Sequence, residues 1–350
     1  MNERRSRMTH QLLSLFSGAG GLDVGFARAG FETVLALDNS PDAVHTYNHN
    51  LGRTVSHAAD LSALTPRAFL NLVPAGTHPI GLIGGPPCQG FSRGNVSATP
   101  NDPRNLLPYR YADLLKAANE KYGLHFFVFE NVVGLARKKH GGRFGRICSR
   151  LRGAGFNLFH AELDAGGFGV PQRRLRLFIV GLNSRLYPGV AFQFPNGSTQ
   201  RATVADILDG MPDPAFYRRG LLASEIPHHP NHWTMVPKSR KFNLRGSRGR
   251  TGRSFKRLDW NSVSPTVAYG HREIHVHPKG DRRLSVYEAM LLQGFPRDYQ
   301  LTGTLSSQIT QVSNAVPPPV AQAIAEVIVK LLRPAGAVSA GGRYAGRGKF

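Results

Sequence analysis

Short apolar runs alternate with helix-like segments between residues 11 and 182, and this alternation limits the folds open to the chain. The apolar runs predict strands at residues 12–16, 33–37, 80–83, 126–129, 157–163 and 175–182. Apolar residues at helical spacing predict helices at residues 22–29, 42–50, 109–120 and 144–154. Buried strands that alternate with helices are typical of a sheet covered on both faces. The sequence therefore predicts an α/β fold with a mixed, mainly parallel sheet.

The composition of the chain changes after residue 183. Residues 184–280 are rich in Pro, Gly, Arg and His and show little periodicity, which predicts a second, smaller and irregular domain. Within it, residues 238–257 contain nine Lys or Arg and no acid, with aromatic residues interleaved. Residues 281–332 regain helical spacing and are expected to return to the first domain, residues 11–183. Residues 333–350 predict a disordered basic tail.

Net charge indicates the kind of partner. The chain has 44 Lys and Arg against 22 acids, a formal charge of +22, which predicts attraction to a polyanion. No apolar run approaches the roughly 20 residues that a membrane span needs. Two cysteines give no disulfide framework, which fits a reducing, cytoplasmic compartment. Nucleic acid is the favoured partner.

The first predicted strand runs into a glycine-rich loop, Phe16-Ser17-Gly18-Ala19-Gly20-Gly21. Such a loop lets the backbone approach a ligand closely. Asp23 occupies the position where a dinucleotide fingerprint has its third glycine, and an acid there disfavours a pyrophosphate. Asp38 follows the second strand, where a carboxylate typically accepts hydrogen bonds from ribose. The combination suits a nucleoside cofactor without phosphates, such as S-adenosyl-L-methionine.

Cys88 comes directly after an apolar strand, on the turn Gly85-Pro86-Pro87. A thiol held at the carboxyl end of a strand is well placed to act as a nucleophile. The residues alone leave open a buried structural cysteine, because free Cys behaves as a small apolar residue. Cys148 lies in a helix-like pattern and is interpreted as a packing residue.

These motifs together resemble those of the cytosine-5 DNA methyltransferase family. The match runs in the family's order across residues 12–330: the loop at Phe16, the acids Asp38 and Asp60, Pro86-Pro87-Cys88-Gln89, Asp102-x-Arg104, Glu130-Asn131-Val132, Gln172-x-Arg174-x-Arg176, Gln293-Gly294-Phe295-Pro296 and Asn314-Ala315-Val316-Pro317. The resemblance implies an S-adenosyl-L-methionine-dependent methyltransferase fold, Rossmann-like, with residues 184–280 as a target-recognition domain.

The resemblance also implies roles for individual residues. The catalytic group would be Cys88, Glu130, Arg174 and Arg176. The cofactor would contact Phe16, Gly18, Ala19, Gly20, Gly21, Asp38, Asn39, Asp60, Leu61, Leu107, Asn314 and Val316. DNA would contact Gln89, Ser92, Lys238, Arg240, Lys241, Arg245, Arg248, Arg250 and Arg253. No metal is expected, because the histidines of residues 228–232 have no Cys or acid partner in the pattern.

The implied reaction begins with addition of the Cys88 thiolate to C6 of cytosine, which makes C5 nucleophilic. Glu130 would hydrogen-bond the N3 and N4 edge, while Arg174 and Arg176 fix the O2 carbonyl and the loop geometry. The sequence does not identify the base that removes the C5 proton. Expected partners are double-stranded DNA and a cognate restriction endonuclease, with the protein a nucleoid-associated monomer. The alternatives are an RNA (tRNA) cytosine-5 methyltransferase and a non-catalytic DNA-binding homologue.

Overall fold

The computed structural model describes residues 10–87, 103–137, 141–235, 242, 255–266 and 275–332. A seven-stranded sheet has the order β3-β2-β1-β4-β5-β7-β6. Its strands are β1 His10–Leu15, β2 Phe31–Asp38, β3 Ser56–Ala58, β4 Gly81–Gly84, β5 Phe126–Val132, β6 Phe156–Asp164 and β7 Leu175–Asn183. The first five run parallel to one another, and β7 runs antiparallel to β5 and to β6. The predicted mixed, mainly parallel sheet is confirmed.

Helices cover both faces of this sheet. They are α1 Gly21–Arg28, α2 Pro41–Leu51, α3 Pro66–Leu72, α4 Leu107–Tyr122 and α5 Gly141–Gly153 in the first half of the chain. Later helices are α6 Ala205–Leu208, α7 Val286–Leu292, α8 Leu305–Asn314 and α9 Pro318–Leu332. One apolar cluster places α3, α4 and α5 against the sheet, and a second places α1 and α9 on the opposite face. The long carboxyl-terminal helix therefore completes the layer that α1 begins.

The local signals for α2 show why sequence periodicity located the elements well. The Ser40 hydroxyl accepts a hydrogen bond from the Ala43 amide, and Pro41 is the first helical residue. The helix ends where Gly52 adopts a left-handed conformation with a φ of 68°. All six predicted strands and all four predicted helices of residues 11–183 are present, with ends shifted by a few residues. The sequence prediction missed β3 and α3, which are only three and seven residues long.

Described residues between 184 and 280 contain little regular structure. They form two pairs of two-residue strands, β8 Ala215–Phe216 with β9 Trp233–Thr234, and β10 Lys256–Arg257 with β11 His275–Val276. Val204, Leu208, Trp233 and Leu258 share one apolar cluster with residues 284–315, whereas Phe192 packs in the cluster that contains α1 and α9. Among the described helices, no single one is long and apolar enough to span a membrane; Leu305–Asn314 and Pro318–Leu332 pass that test only as a pair, bent by 41°.

The antiparallel direction of β7 determines what meets at the carboxyl edge of the sheet. Strands β1, β2, β4 and β5 all end at this edge, whereas β7 begins there. In the β5–β7 register, Val132 pairs with Arg176 and Glu130 pairs with Phe178. The segment preceding β7 is thereby brought beside the turn after β4 and the end of β5.

Candidate active site

Glu130 occupies the centre of the carboxyl edge. Side chains alternate along β5, and Phe126 and Val128 join the cluster that includes α1 and α9, so Glu130 lies on the same face. Glu130 is 8% exposed, and its Oε1 lies 3.1 Å from Nε of Arg176. The antiparallel register explains this ion pair, because Arg176 begins the adjacent strand on that face. The structure thus brings two of the four predicted catalytic residues together.

Burial and charge act in opposite directions on Glu130. Burial raises the pKa of its carboxyl group, and the positive charges of Arg176 and Arg174 oppose that rise. The net direction is upward, toward a carboxyl group that can hold a proton. A buried acid of this kind can donate a hydrogen bond or share a proton with a bound heterocycle.

The turn after β4 lies directly against Glu130. A Cβ on Gly85 would be 2.9 Å from Oε2 of Glu130, which is closer than side chains normally pack. Asn131 donates from Nδ2 to the carbonyl oxygen of Pro86 at 2.9 Å. Glycine at position 85 therefore leaves room for the carboxylate, and Asn131 fixes the turn that leads toward Cys88. Gly85 and Asn131 both lie within the sequence motifs, but the motifs alone did not indicate these contacts.

Arg174 occupies a different place from Arg176. Its side chain is 2% exposed and donates to the carbonyl oxygen of Ser313 at 2.9 Å, while its backbone amide donates to Asp164. Burial strongly lowers the pKa of the Arg174 guanidinium, and the charge of Glu130 acts against that effect. Arg174 thus joins the start of β7 to the carboxyl end of α8.

The loop after β1 is held by Asp38. Its Oδ2 accepts the Gly18 amide at 2.8 Å and its Oδ1 accepts the Ser40 amide at 2.9 Å. Burial raises the pKa of Asp38, and these backbone hydrogen bonds oppose the rise. Each oxygen retains a lone pair that can accept a further hydrogen bond, as from a ribose hydroxyl.

The glycines of this loop serve different purposes. Gly18 has a φ of 51° and no atom within 4 Å of where a Cβ would stand, so a ligand has room there. A Cβ on Gly21 would lie 2.3 Å from the carbonyl oxygen of Val316, and one on Gly20 would lie 3.0 Å from the Tyr299 hydroxyl. Close packing with the carboxyl-terminal segment therefore requires Gly20 and Gly21.

The remaining predicted cofactor residues differ in their exposure to solvent. Asp60 is exposed, and hydrogen bonds from the Ser62 hydroxyl and amide to its Oδ1 lower its pKa. Leu61, Leu107 and Val316 are buried, whereas Asn39 and Asn314 are exposed. Phe16, with a φ of 55°, is half-buried, and Ala19 is buried beneath the loop.

Asp23 has a structural role that the sequence analysis did not assign. Its buried carboxylate accepts hydrogen bonds from the hydroxyls of Ser14, Thr33 and Tyr47, each at 3.0 Å. Burial raises the pKa of Asp23 to about 6, and these hydrogen bonds oppose the rise. The acid thus connects α1 to β1, β2 and α2 beneath the glycine-rich loop.

The histidines of residues 228–232 belong to the packing of the middle segment. His229 stacks on Tyr287 with ring centroids 4.0 Å apart. His232 donates from Nε2 to the carbonyl oxygen of Pro212, so its Nδ1 accepts from the Ser285 hydroxyl. Within the described ranges, no group of three or more His, Cys, Asp or Glu side chains is placed to hold a metal ion.

Several predicted residues lie outside the described residues. These are Cys88, Gln89, Ser92, Lys238, Arg240, Lys241, Arg245, Arg248, Arg250 and Arg253, together with the tail 333–350. Cys148, interpreted from sequence as a packing residue, is buried in α5, and burial raises the pKa of its thiol.

Comparisons with known proteins agree with the motif order. A family model described as C-5 cytosine-specific DNA methylase matches residues 10–330. Type II methyltransferase M.MthTI of Methanothermobacter thermautotrophicus is 32% identical over 345 residues, covering 92% of this chain and 98% of that protein. Type II methyltransferase M1.HphI of Haemophilus parahaemolyticus is 33% identical over 337 residues, covering 93% of this chain and 88% of that protein.

Solved structures show the same architecture. A prophage-encoded E. coli protein described as a DNA modification methyltransferase is 26% identical, with a TM-score of 0.75 over 92% of this chain and 99% of that one. The S. pombe Dnmt2 methyltransferase superposes with a TM-score of 0.64 at 20% identity, covering 93% and 99%. The second likeness shows the fold alone.

Proposed function

The chain belongs to the C-5 cytosine-specific DNA methylase family and is a DNA (cytosine-5) methyltransferase, and we propose how its residues divide that reaction. The observation with most weight is the ion pair of Glu130 with Arg176 at 3.1 Å, packed against the Gly85-Pro86 turn. That turn leads within two residues to Cys88. An acid with a raised pKa and a guanidinium thus lie beside the turn that leads, in sequence, to the Cys88 thiol.

Cys88 is the proposed nucleophile. Its thiolate adds to C6 of cytosine, and the electron pair of the C5–C6 double bond becomes available at C5. Glu130 holds a proton at the N3 and N4 edge of the ring, which its burial supports. After methylation, loss of the C5 proton restores the double bond and expels the Cys88 thiolate.

The two arginines have separate proposed tasks. Arg176 contacts Glu130 directly, so it can orient the carboxyl group and donate to the O2 carbonyl of the base. Arg174 donates to Ser313 instead, and we assign it a positioning role at the start of β7. The two tasks expected of the pair are thereby divided, with Arg176 at the O2 carbonyl and Arg174 fixing the loop geometry.

S-adenosyl-L-methionine supplies a methyl group activated by a positively charged sulfur. The residues around the β1 loop fit such a ligand, because Gly18 has open space and the Asp38 oxygens retain accepting capacity. Asp38 and exposed Asp60 add negative charge suited to a cation. The proposed contacts are Phe16, Gly18, Ala19, Gly20, Gly21, Asp38, Asn39, Asp60, Leu61, Leu107, Asn314 and Val316.

The DNA substrate must present its cytosine outside the helix, because the reacting atoms are enclosed by stacking in a duplex. We assign residues 184–280 to target recognition and residues 238–257 to phosphate contacts, on the strength of nine basic residues without an acid. Gln89 and Ser92, next to Cys88, are proposed to contact the DNA around the rotated base.

The relatives include Type II methyltransferases, which supports a role in restriction-modification. We propose that the protein acts as a monomer on cytoplasmic, nucleoid DNA. By methylating one sequence, it would protect that sequence from a cognate endonuclease.

Bisulfite sequencing tests this function. DNA and RNA are taken from cells that express the protein or its Cys88→Ser variant. We expect cytosine-5 methylation in one DNA sequence context, present with the wild type and absent with the variant. Methylation confined to RNA would support the RNA methyltransferase alternative, and no methylation in either would contradict catalysis.

A further inference from the structure

Two buried glutamines connect a segment proposed to recognise DNA with a segment proposed to contact the cofactor. The side chains of Gln172 and Gln293 are both 0% exposed. Gln172 donates from Nε2 to Oε1 of Gln293 at 2.7 Å, and Gln293 donates from Nε2 to the carbonyl oxygen of Ala315 at 2.6 Å. The two amides are therefore connected in series, each donating toward the segment after α8.

One end of this series meets the proposed recognition segment. Gln172 forms an isolated parallel bridge with Ser264, through hydrogen bonds from the Arg173 amide to Ser264 at 2.8 Å and from the Ser264 amide to Pro171 at 2.9 Å. The Thr266 hydroxyl adds a hydrogen bond to the Arg173 carbonyl oxygen at 2.7 Å. Residues 264–266 are thus fixed to the strand-like segment that contains Gln172.

The other end meets the proposed cofactor site. Ala315 stands between Asn314 and Val316, two proposed cofactor contacts, and the Val316 carbonyl packs against the position of Gly21. The hydrogen bond from Arg174 to Ser313 provides a second connection between the same two segments. A shift of the 171–176 segment would therefore be transmitted to residues 313–316.

Because the connection is made by buried amides, it is sensitive to small shifts of the segments that it joins. An apolar pair could fill the same space and tolerate small shifts, whereas an amide that loses its partner in the core is left unsatisfied. Hydrogen bonds in series in a low-dielectric interior also strengthen one another. The pair therefore favours states in which all three segments keep their relative positions.

We propose that Gln172 and Gln293 are positioning residues that couple target DNA binding to cofactor binding. The inference rests on the proposed function, since it requires residues 184–280 to bind DNA and residues 314–316 to contact the cofactor. DNA bound to the recognition segment holds residues 264–266 in place, and through the two glutamines it holds residues 314–316 in the conformation that binds the cofactor. Linkage requires the effect to be reciprocal, so the cofactor tightens DNA binding by the same factor.

The experiment measures the affinity for S-adenosylhomocysteine, the demethylated cofactor product, with and without a duplex containing the methylated sequence found by bisulfite sequencing. The ratio of the two affinities is the coupling factor. In the wild type we expect a factor of about 10 or more, within the range common for coupled sites. Gln172→Met and Gln293→Met keep side-chain length and remove the amide, and each should reduce the factor to below about 3.

Gln311→Met is the matched control. Gln311 is also buried, and its Nε2 donates to the Thr302 carbonyl oxygen at 3.0 Å, outside the connection between residues 172 and 315. This variant should keep the wild-type factor. Thr266→Val removes a hydrogen bond at the partly exposed end of the connection, so it should fold normally and still lower the factor.

A wild-type factor of one would overturn the proposal, as would an unchanged factor in the Gln172 and Gln293 variants. If those two variants do not fold, an unchanged factor in Thr266→Val overturns it instead. If Gln311→Met lowered the coupling factor as much as the Gln172 and Gln293 variants, substitution of any buried residue would have this effect, and the proposal would be overturned. Methyl transfer by the same wild-type preparation separates these failures from failure of the proposed function.

Discussion

Replacing Gly85 with alanine tests whether the turn after β4 positions Glu130. The added Cβ would stand 2.9 Å from Oε2 of Glu130, and ordinary contacts begin at 3.4 Å. The carboxylate must therefore retreat by roughly 0.5 Å, which is the tolerance within which catalytic groups have to be held. Gly85 is absent from the residues with positive φ, so alanine brings no backbone strain.

We expect Gly85→Ala to lower the rate of methyl transfer by about 10- to 100-fold, because small misplacements of catalytic groups have effects of this size. The assay is single-turnover transfer of radiolabelled methyl to DNA, with affinity for DNA measured in parallel. Gly145→Ala is the control, since a Cβ on Gly145 in α5 would meet no atom within 4 Å. Alanine at position 145 should leave the rate unchanged and stabilise the helix slightly.

A double variant identifies the route of the effect. If Gly85→Ala acts through Glu130, it should lower the rate little or not at all in a Glu130→Gln background. A full additional loss in that background would show that position 85 acts independently of the acid. Wild-type turnover by Gly85→Ala alone would refute the packing argument.

Three further predictions concern the acid, the buried carboxylate and the basic segment. Glu130→Gln should lower methyl transfer by about 10²–10⁴-fold while DNA affinity stays near wild type; equal losses in both would make Glu130 a structural residue. Burial raises the pKa of Asp23 from 3.8 to about 6. The contribution of the protonated carboxyl group to the free energy of unfolding is therefore complete below pH 3.8 and is lost as the pH rises through about 6. The free energy of unfolding of the wild type should fall by about 3 kcal/mol between pH 4 and 7, and that of Asp23→Asn should not. Denaturation curves at each pH measure both, and an identical pH dependence in the two proteins would contradict the prediction. Neutralising three arginines within residues 238–257 should flatten the slope of log affinity against log salt by about 2–3, whereas an unchanged slope would exclude phosphate contacts there.

The sequence predicted the sheet well because its strands are continuous apolar runs and its helices begin and end at strong local signals such as Ser40 and Gly52. It also placed Glu130 at a strand end, since that position follows from the run of phenylalanines before it. It did not predict which arginine contacts the acid. That contact depends on the antiparallel register of β5 and β7, which no local pattern specifies.

Local sequence patterns likewise could not predict contacts between segments that are distant in the chain. Gln172 and Gln293 are separated by 121 positions, and Gly21 meets Val316 near the other end of the chain. Each residue appeared in a motif, but the partner of each is set by tertiary packing. The role of Gly85 depends on the position of a side chain in the adjacent strand in the same way.

The proposed reaction depends on a covalent bond between the Cys88 thiolate and C6 of the target cytosine. A fluorine at C5 tests it most directly, because fluorine cannot leave as a cation and the methylated ring should remain attached to sulfur. Target DNA with 5-fluorocytosine at the methylated position is incubated with the protein and S-adenosyl-L-methionine. We expect a complex that survives denaturation, with mass spectrometry locating the bond on Cys88. Cys88→Ser should form little of it and Cys148→Ser should form it normally, whereas a wild-type protein that methylates the natural site but never traps the fluorinated one would contradict the mechanism.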